Sequence, residues 1–248
     1  MRKLKFTNGE IYHVYNRGVD KKQIFLNPQD HLRFIHDMFE FNDSNIAIPS
    51  NARFHVQKPS TANEEVLRKK FQNLEAELPN TNIKRKRKLL GEITVFCLMP
   101  NHFHLLIKQR QENGISRFMQ KIGTGYTNYF NTKYERSGHL FQGKFKAEQV
   151  ESEAHLLHLP YYIHLNSLDL AHPEWRNKEM ENPKAAMKFL ETYRWSSFQD
   201  YIGKKNFPSV TQREFIQKLV GNEEEYKKET YRWLKERKTD LRDVSKFE

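Results

Sequence analysis

Apolar and polar residues alternate over residues 10–16, Glu-Ile-Tyr-His-Val-Tyr-Asn, which predicts a strand ending at Arg17-Gly18. Asn27-Pro28-Gln29-Asp30 then marks a helix start. Leu32, Phe34, Ile35, Met38 and Phe39 follow as an apolar stripe at helical spacing. Residues 42–64 are polar and carry Pro49 and Pro59, as expected of an excursion from the core. Val66, Leu67, Phe71, Leu74 and Leu78 predict an amphipathic helix over 64–78. The run 92–98 reads as a buried strand, Met99-Pro100-Asn101 as a turn and 102–107 as the next strand, together a β-hairpin. A helix is predicted from Ile115 to Tyr134, packed through Phe118, Met119, Ile122, Tyr126, Tyr129 and Phe130 and weakened by Gly123 and Gly125. A further strand is expected over 144–150. Ser152-Glu153 opens a helix towards Asn166 that Pro160 either interrupts or starts afresh. Beyond about residue 190, Tyr193-Arg-Trp-Ser-Ser-Phe198 leads into a polar part with a helix expected over 211–237. Few strands interspersed with helices predict an α+β fold, a small antiparallel sheet with helices packed on one face.

Composition narrows the partner. Lys and Arg number 42 against 31 Asp and Glu, a net charge of +11. Nucleic acid is the expected anion, because many phosphate contacts are rewarded by counterion release. An acidic membrane surface is the competing partner, but no run approaches the roughly 18 apolar residues of a spanning helix. The basic start, Met-Arg-Lys-Leu-Lys-Phe, lacks the apolar run of a secretory signal, so the cytoplasm, in association with the nucleoid, is the expected location. The single cysteine, Cys97, excludes an internal disulfide framework and a cysteine-rich zinc site. The block Lys84-Arg-Lys-Arg-Lys88 is either a solvated surface or a phosphate-contacting patch.

Three constellations carry candidate chemistry. His102 and His104 are two apart on a predicted strand, so both imidazoles project from one face while Phe103 turns to the other. Such a pair is half of a metal site, although two histidines so spaced on a strand are more often surface or hydrogen-bonding residues. His158, Tyr162 and Asn166 recur every four residues and share one face of a helix, unless Pro160 disturbs the turn. Tyrosines at this spacing are also ordinary half-buried core residues. Between Arg136 and Lys146, basic residues interleave with His139, Phe141, Phe145 and two glycines, a pattern suited to phosphates and unpaired bases, or to a plain turn.

Together, Tyr12-His-Val-Tyr-Asn-Arg-Gly18, Met99-Pro-Asn-His-Phe-His-Leu-Leu-Ile107, Arg136-Ser-Gly-His-Leu-Phe-Gln-Gly-Lys-Phe-Lys146, Tyr162-Ile-His-Leu-Asn166 and Tyr193-Arg-Trp-Ser-Ser197 resemble, in order, the IS200-like single-tyrosine transposases. The resemblance is nearest to the branch associated with repetitive extragenic palindromes. It implies a ferredoxin-like catalytic domain over 1–190, with an insertion near 42–90, and a helical extension over 191–248. It implies that His102 and His104 hold Mg²⁺ or Mn²⁺, that Asn166 completes the metal shell, and that Tyr162 attacks the phosphate, with Tyr161 and Tyr126 as rivals. Arg17, Arg136, Lys144 and Lys146 are the candidate DNA contacts. The implied substrate is single-stranded DNA near a hairpin, cleaved and rejoined by a monomer or homodimer. The chain departs from the family after Asn166, where Ser167-Leu-Asp169-Leu-Ala171 replaces a frequent proline and basic pair, and at Pro160. The alternatives are a non-cleaving hairpin-binding descendant, an RNA-binding module, and a hydrolase acting through activated water.

Overall fold

A computed structural model describes residues 4–45, 87–176 and 180–236. The chain divides into two compact units, residues 1–42 with 89–248, and residues 43–88. The helix expected over 64–78 and most of the basic block 84–88 lie outside the described residues. The first unit carries the candidate site.

Its strands are β1 (Ile11–Arg17), β2 (Gly91–Met99), β3 (His102–Gln109) and β4 (Lys146–Gln149). Its helices are α1 (Pro28–Phe41), α2 (Gly114–Lys133), α3 (Glu153–Leu165), α4 (Pro183–Thr192), α5 (Phe198–Tyr201), α6 (Glu214–Val220) and α7 (Glu223–Glu236). The sheet runs β2-β3-β1-β4 with every pair antiparallel. The succession β1-α1-β2-β3-α2-β4 in that spatial order is the ferredoxin-like arrangement.

Alternation along the strands sorts residues between two cores. Tyr12, Val14, Phe103, Leu105 and Ile107 join α1 and α2 on one face. Val95, Cys97, Met99 and Leu106 join α3 and the C-terminal helices on the other. Ile93 belongs to the first core and Val95 to the second layer's parity because the β2–β3 register shifts between them. The expected one-faced packing describes α1 and α2, and α3 with the C-terminal helices adds a further layer on the opposite face. Seven consecutive residues, Leu159–Leu165, are buried, so α3 is enclosed all round rather than along a stripe. Pro160 lies inside this one continuous helix. Ser152 caps its start, accepting from His155 N at 3.1 Å.

The Tyr193–Ser197 motif closes the outer edge of β2. Leu98 N donates to Trp195 O at 2.9 Å, and Ser197 N donates to Phe96 O at 3.0 Å. Phe96 N in turn donates to Ser197 Oγ at 2.9 Å. Tyr193 and Tyr201 donate their hydroxyls to Leu98 O and Thr94 O. An otherwise bare strand edge is thereby satisfied. His164 of α3 completes the junction, with Nε2 2.8 Å from Ser197 Oγ and Nδ1 2.8 Å from Tyr226 Oη of α7. None of the described helices is long and apolar enough to cross a membrane.

Candidate functional site

The face of the sheet beneath α3 gathers the polar chemistry. On β1, His13, Tyr15 and Arg17 alternate onto it; on β3, His102 and His104 do, with Tyr15 opposite His104 and Arg17 opposite His102. His13 was not singled out by sequence reasoning, although its period-two relation to Tyr15 and Arg17 was a usable signal. Its Nε2 lies 2.9 Å from His104 Nδ1.

The two histidines of β3 stand with ring centroids 5.0 Å apart and planes nearly perpendicular. His102 Nδ1 lies 2.6 Å from Asn101 Oδ1, a partner that can only accept, so the proton sits on Nδ1 and the Nε2 lone pair is left for a ligand. His104 Nε2 is buried and has no hydrogen-bond partner among the described residues. Burial lowers the pKa of His102 to about 4 and that of His13 to about 3. Burial likewise holds His104 well below the usual range, reinforced by neighbouring His102, His13 and Arg176. All three are neutral at pH 7, the state that coordinates a metal. An orphaned buried nitrogen beside a second imidazole with a fixed tautomer fits two ligands of a divalent ion. No group of three or more His, Cys, Asp or Glu suited to a metal occurs among the described residues, so the rest of the shell would come from elsewhere.

Tyr162 of α3 is fully buried. Its ring meets His104 and His13 edge-on, both at 6.3 Å between centroids. The Arg176 guanidinium carbon lies 5.9 Å from its ring centre. The rival tyrosines are engaged elsewhere. Tyr161 stacks on Tyr226 at 4.6 Å and on Trp233 at 5.1 Å. Tyr126 donates to Ile24 O at 2.6 Å in the opposite core. His158 sits against Trp233, on the side of the C-terminal helices.

Asn166 caps α3. Its Nδ2 donates to Tyr162 O at 2.7 Å, and its Oδ1 accepts from Arg176 Nη2 at 2.8 Å. The amide oxygen is therefore committed to a guanidinium, and the structure joins Asn166 to Tyr162 and Arg176 without bringing it to the histidines.

A cleft of about 270 Å³ opens over this face, lined by His102, His104, Tyr15, Asn16, Asn101, Gln142 and Asp169 together with Arg17, Lys21 and Lys146. Lys146 Nζ lies 5.8 Å from the Tyr15 ring centre, and Arg17 Nε donates to Gln142. Of the four predicted DNA contacts, Arg17 and Lys146 border the cleft. Lys144 is exposed without lining it, and Arg136 turns back onto His139 O and the Phe130 ring. Lys21, His13, Asp169 and Arg176 are the residues that sequence reasoning missed.

The sequence profile described as "Transposase IS200 like" matches residues 50–166, a span that contains His102, His104, Tyr162 and Asn166. That span is a little under half of the chain. No curated protein matches it. A solved structure described as "Structure of the REP associates tyrosine transposase bound to a REP hairpin" is similar at a TM-score of 0.40 and 12% identity, covering 85% of this chain and 89% of that one.

Proposed function

We propose that this protein is an IS200-like transposase that nicks and rejoins single-stranded DNA through Tyr162, in a metal-assisted reaction at the face formed by β1 and β3. The observation that carries this reading is the edge-on contact of the Tyr162 ring with His104 and His13, beside a cleft bordered by Arg17, Lys21 and Lys146. Arg17, Lys21 and Lys146 bind and orient the strand through its phosphates. Tyr15, half-buried in the cleft wall, offers a ring to an unpaired base. His102 and His104 would hold the divalent ion, Mg²⁺ or Mn²⁺, which when bound supplies Lewis-acid polarisation of the scissile phosphate. Asn166 could add its oxygen only by giving up its bond to Arg176. The Tyr162 oxygen attacks phosphorus and loses its proton to solvent. The bond from phosphorus to the 3′ oxygen breaks, and that oxygen takes up a proton. The products are a 5′-phosphotyrosine and a free 3′-OH. A second 3′-OH can reverse the step and join strands, because the phosphotyrosine bond conserves the phosphodiester's energy. The hairpin requirement and the position of the cut follow from the family resemblance.

The buried Tyr162 hydroxyl favours a second reading, a non-cleaving hairpin-binding descendant. One experiment separates the two. The protein is incubated with Mn²⁺ and labelled single-stranded DNA hairpins carrying random flanks and the chain's own genomic flanks, then denatured. An adduct present in the wild type and in Tyr161→Phe, and absent in Tyr162→Phe and His102→Ala, supports nicking through Tyr162. Tight hairpin binding with no adduct supports the non-cleaving descendant. Cleavage surviving Tyr162→Phe supports a water-activating hydrolase.

A further inference from the structure

The β2–β3 turn does more than reverse the chain. Its Asn101 stands half-buried between His102 and the loop that follows β1. The Asn101 carbonyl accepts from Gly18 N at 2.8 Å, and the Pro100 carbonyl accepts from Ile24 N at 2.8 Å and from Phe25 N at 3.0 Å. These backbone bonds already hold both ends of the loop against the turn. The Asn101 side chain adds two contacts of another kind. Its Nδ2 donates to Lys21 O at 3.2 Å, and its Oδ1 lies 2.6 Å from His102 Nδ1.

The two contacts depend on each other. A backbone carbonyl only accepts, so Lys21 O requires the nitrogen end of the amide. The oxygen end is thereby turned to His102 and keeps the proton on Nδ1. Only in that tautomer is His102 Nε2 a bare lone pair. A carbonyl of the loop is thus the far end of a chain that reaches the nitrogen offered to the metal.

The loop that carries this carbonyl is strained. Asp20 and Lys21 lie in succession in the left-handed region, at φ 54° and 57°. That conformation disfavours L side chains, and Lys lacks the short polar side chain that eases it for Asp. A Cβ at Gly18 would collide with Lys22 O, so the loop also depends on a glycine. Its outcome is to place Lys21 on the cleft that His102 lines. Asp20 pairs with Lys22 at 3.7 Å, whereas Lys21 forms no ion pair among the described residues. Strain that delivers a cation to a candidate site points to function.

We infer that Asn101 is a positioning residue that couples the Lys21 loop to the metal-binding tautomer of His102, so that the loop meeting the DNA strand also readies the imidazole for the ion. The inference rests on His102 being a metal ligand and Lys21 a phosphate contact. Displacing the loop spoils the ligand without touching a histidine, and removing the Lys21 ammonium alone does not.

The test uses the full chain with variants Asn101→Ala, Gly18→Ala, Lys21→Gly and His102→Ala, each well below its melting temperature. Imidazole nitrogen shifts of the metal-free protein show which nitrogen of His102 carries the proton, and backbone amide signals of residues 19–22 show whether the loop has moved. Calorimetry gives Mn²⁺ affinity, and anisotropy in chelator gives affinity for the labelled hairpin pool. The wild type is expected to carry the proton on Nδ1. Asn101→Ala is expected to move it largely to Nε2, to shift the loop signals and to weaken Mn²⁺ binding about 10- to 100-fold. Gly18→Ala, which keeps the amide, is expected to move the proton the same way. Lys21→Gly suits the left-handed backbone and is expected to keep the tautomer, with Mn²⁺ affinity within about twofold, while lowering the salt slope of hairpin binding by about one. A proton that stays on Nδ1 in Asn101→Ala overturns the inference. So does one that stays there in Gly18→Ala although the loop signals have moved. If Gly18→Ala fails to fold, the loop signals of Asn101→Ala decide the coupling, and unmoved signals overturn it. Wild-type hairpin binding in Lys21→Gly removes the strand from the coupling and overturns it too. Equal Mn²⁺ affinity in His102→Ala and the wild type overturns the metal reading itself. Mn²⁺ binding lost in His102→Ala but unaltered in Asn101→Ala overturns only the role of Asn101.

Discussion

His13 Nε2 and His104 Nδ1 face each other at 2.9 Å across the β1–β3 ladder. With a metal on His104 Nε2, the remaining proton belongs on Nδ1 and is donated to His13. In the proposed site His13 would therefore orient the ligand and set its tautomer, the usual task of a group one step behind a metal. His13→Ala is expected to weaken Mn²⁺ binding about 10- to 100-fold by calorimetry, with His104→Ala losing it more completely. Equal Mn²⁺ affinity in His13→Ala and the wild type would remove His13 from the site.

The basic rim makes a prediction about salt. Arg17 and Lys146 border the cleft, and neither forms an ion pair with a carboxylate among the described residues. Arg17→Gln and Lys146→Gln should each weaken hairpin binding and reduce the slope of log affinity against log salt by about one. An unchanged slope in both would place the DNA path elsewhere on the protein.

The junction of His164, Ser197 and Tyr226 is closed to solvent. Ser197→Ala removes the acceptor for Phe96 N and the partner of His164 Nε2 together. Leaving such buried groups unpaired costs about 2–3 kcal/mol, measurable as a lower urea midpoint at unchanged slope. A midpoint within error of the wild type would show that the junction does not contribute to holding α3.

His31 lies between Phe25 and Trp195, each 4.4 Å away between ring centres. Burial lowers its pKa to about 4, against partial compensation from the Asn27 carbonyl and Asp30. A histidine depressed in the folded state binds its proton first in the unfolded chain. Its contribution is therefore complete above about pH 6.5 and is lost as pH falls towards 4. Urea titrations of the wild type should show stability falling over that window, and His31→Phe should show a shallower fall. Parallel pH profiles would contradict this.

Most of the sheet and the placement of the histidine pair were legible in the sequence. Alternation in 10–16 and 102–107 set the faces, and the residues of the Met99-Pro-Asn101 turn were recognisable. The crossing of β2 between the two cores was not, because a register shift beside Thr94 leaves no mark in an apolar run. Pro160 was read as a break because it lacks a donor, whereas packing on every side keeps α3 continuous. Tyr162 was set above Tyr161 by the family resemblance, and the structure gives Tyr161 to Tyr226 and Trp233. Arg176 was invisible for a different reason. It meets Tyr162 only because two 3₁₀ turns fold the chain back, and no local spacing encodes that return.

The Tyr193–Ser197 segment has a consequence for dissection of the molecule. It lends β2 a neighbour drawn from the last quarter of the chain, and its Ser197 shares His164 with a tyrosine from α7. A fragment ending near residue 190 would keep every residue assigned to the chemistry and lose both partners of His164. It would also present the unsatisfied backbone of a long apolar strand, a surface prone to pair with copies of itself. Minimal versions of this protein are therefore better sought by shortening the segment between α1 and β2 than by trimming the end.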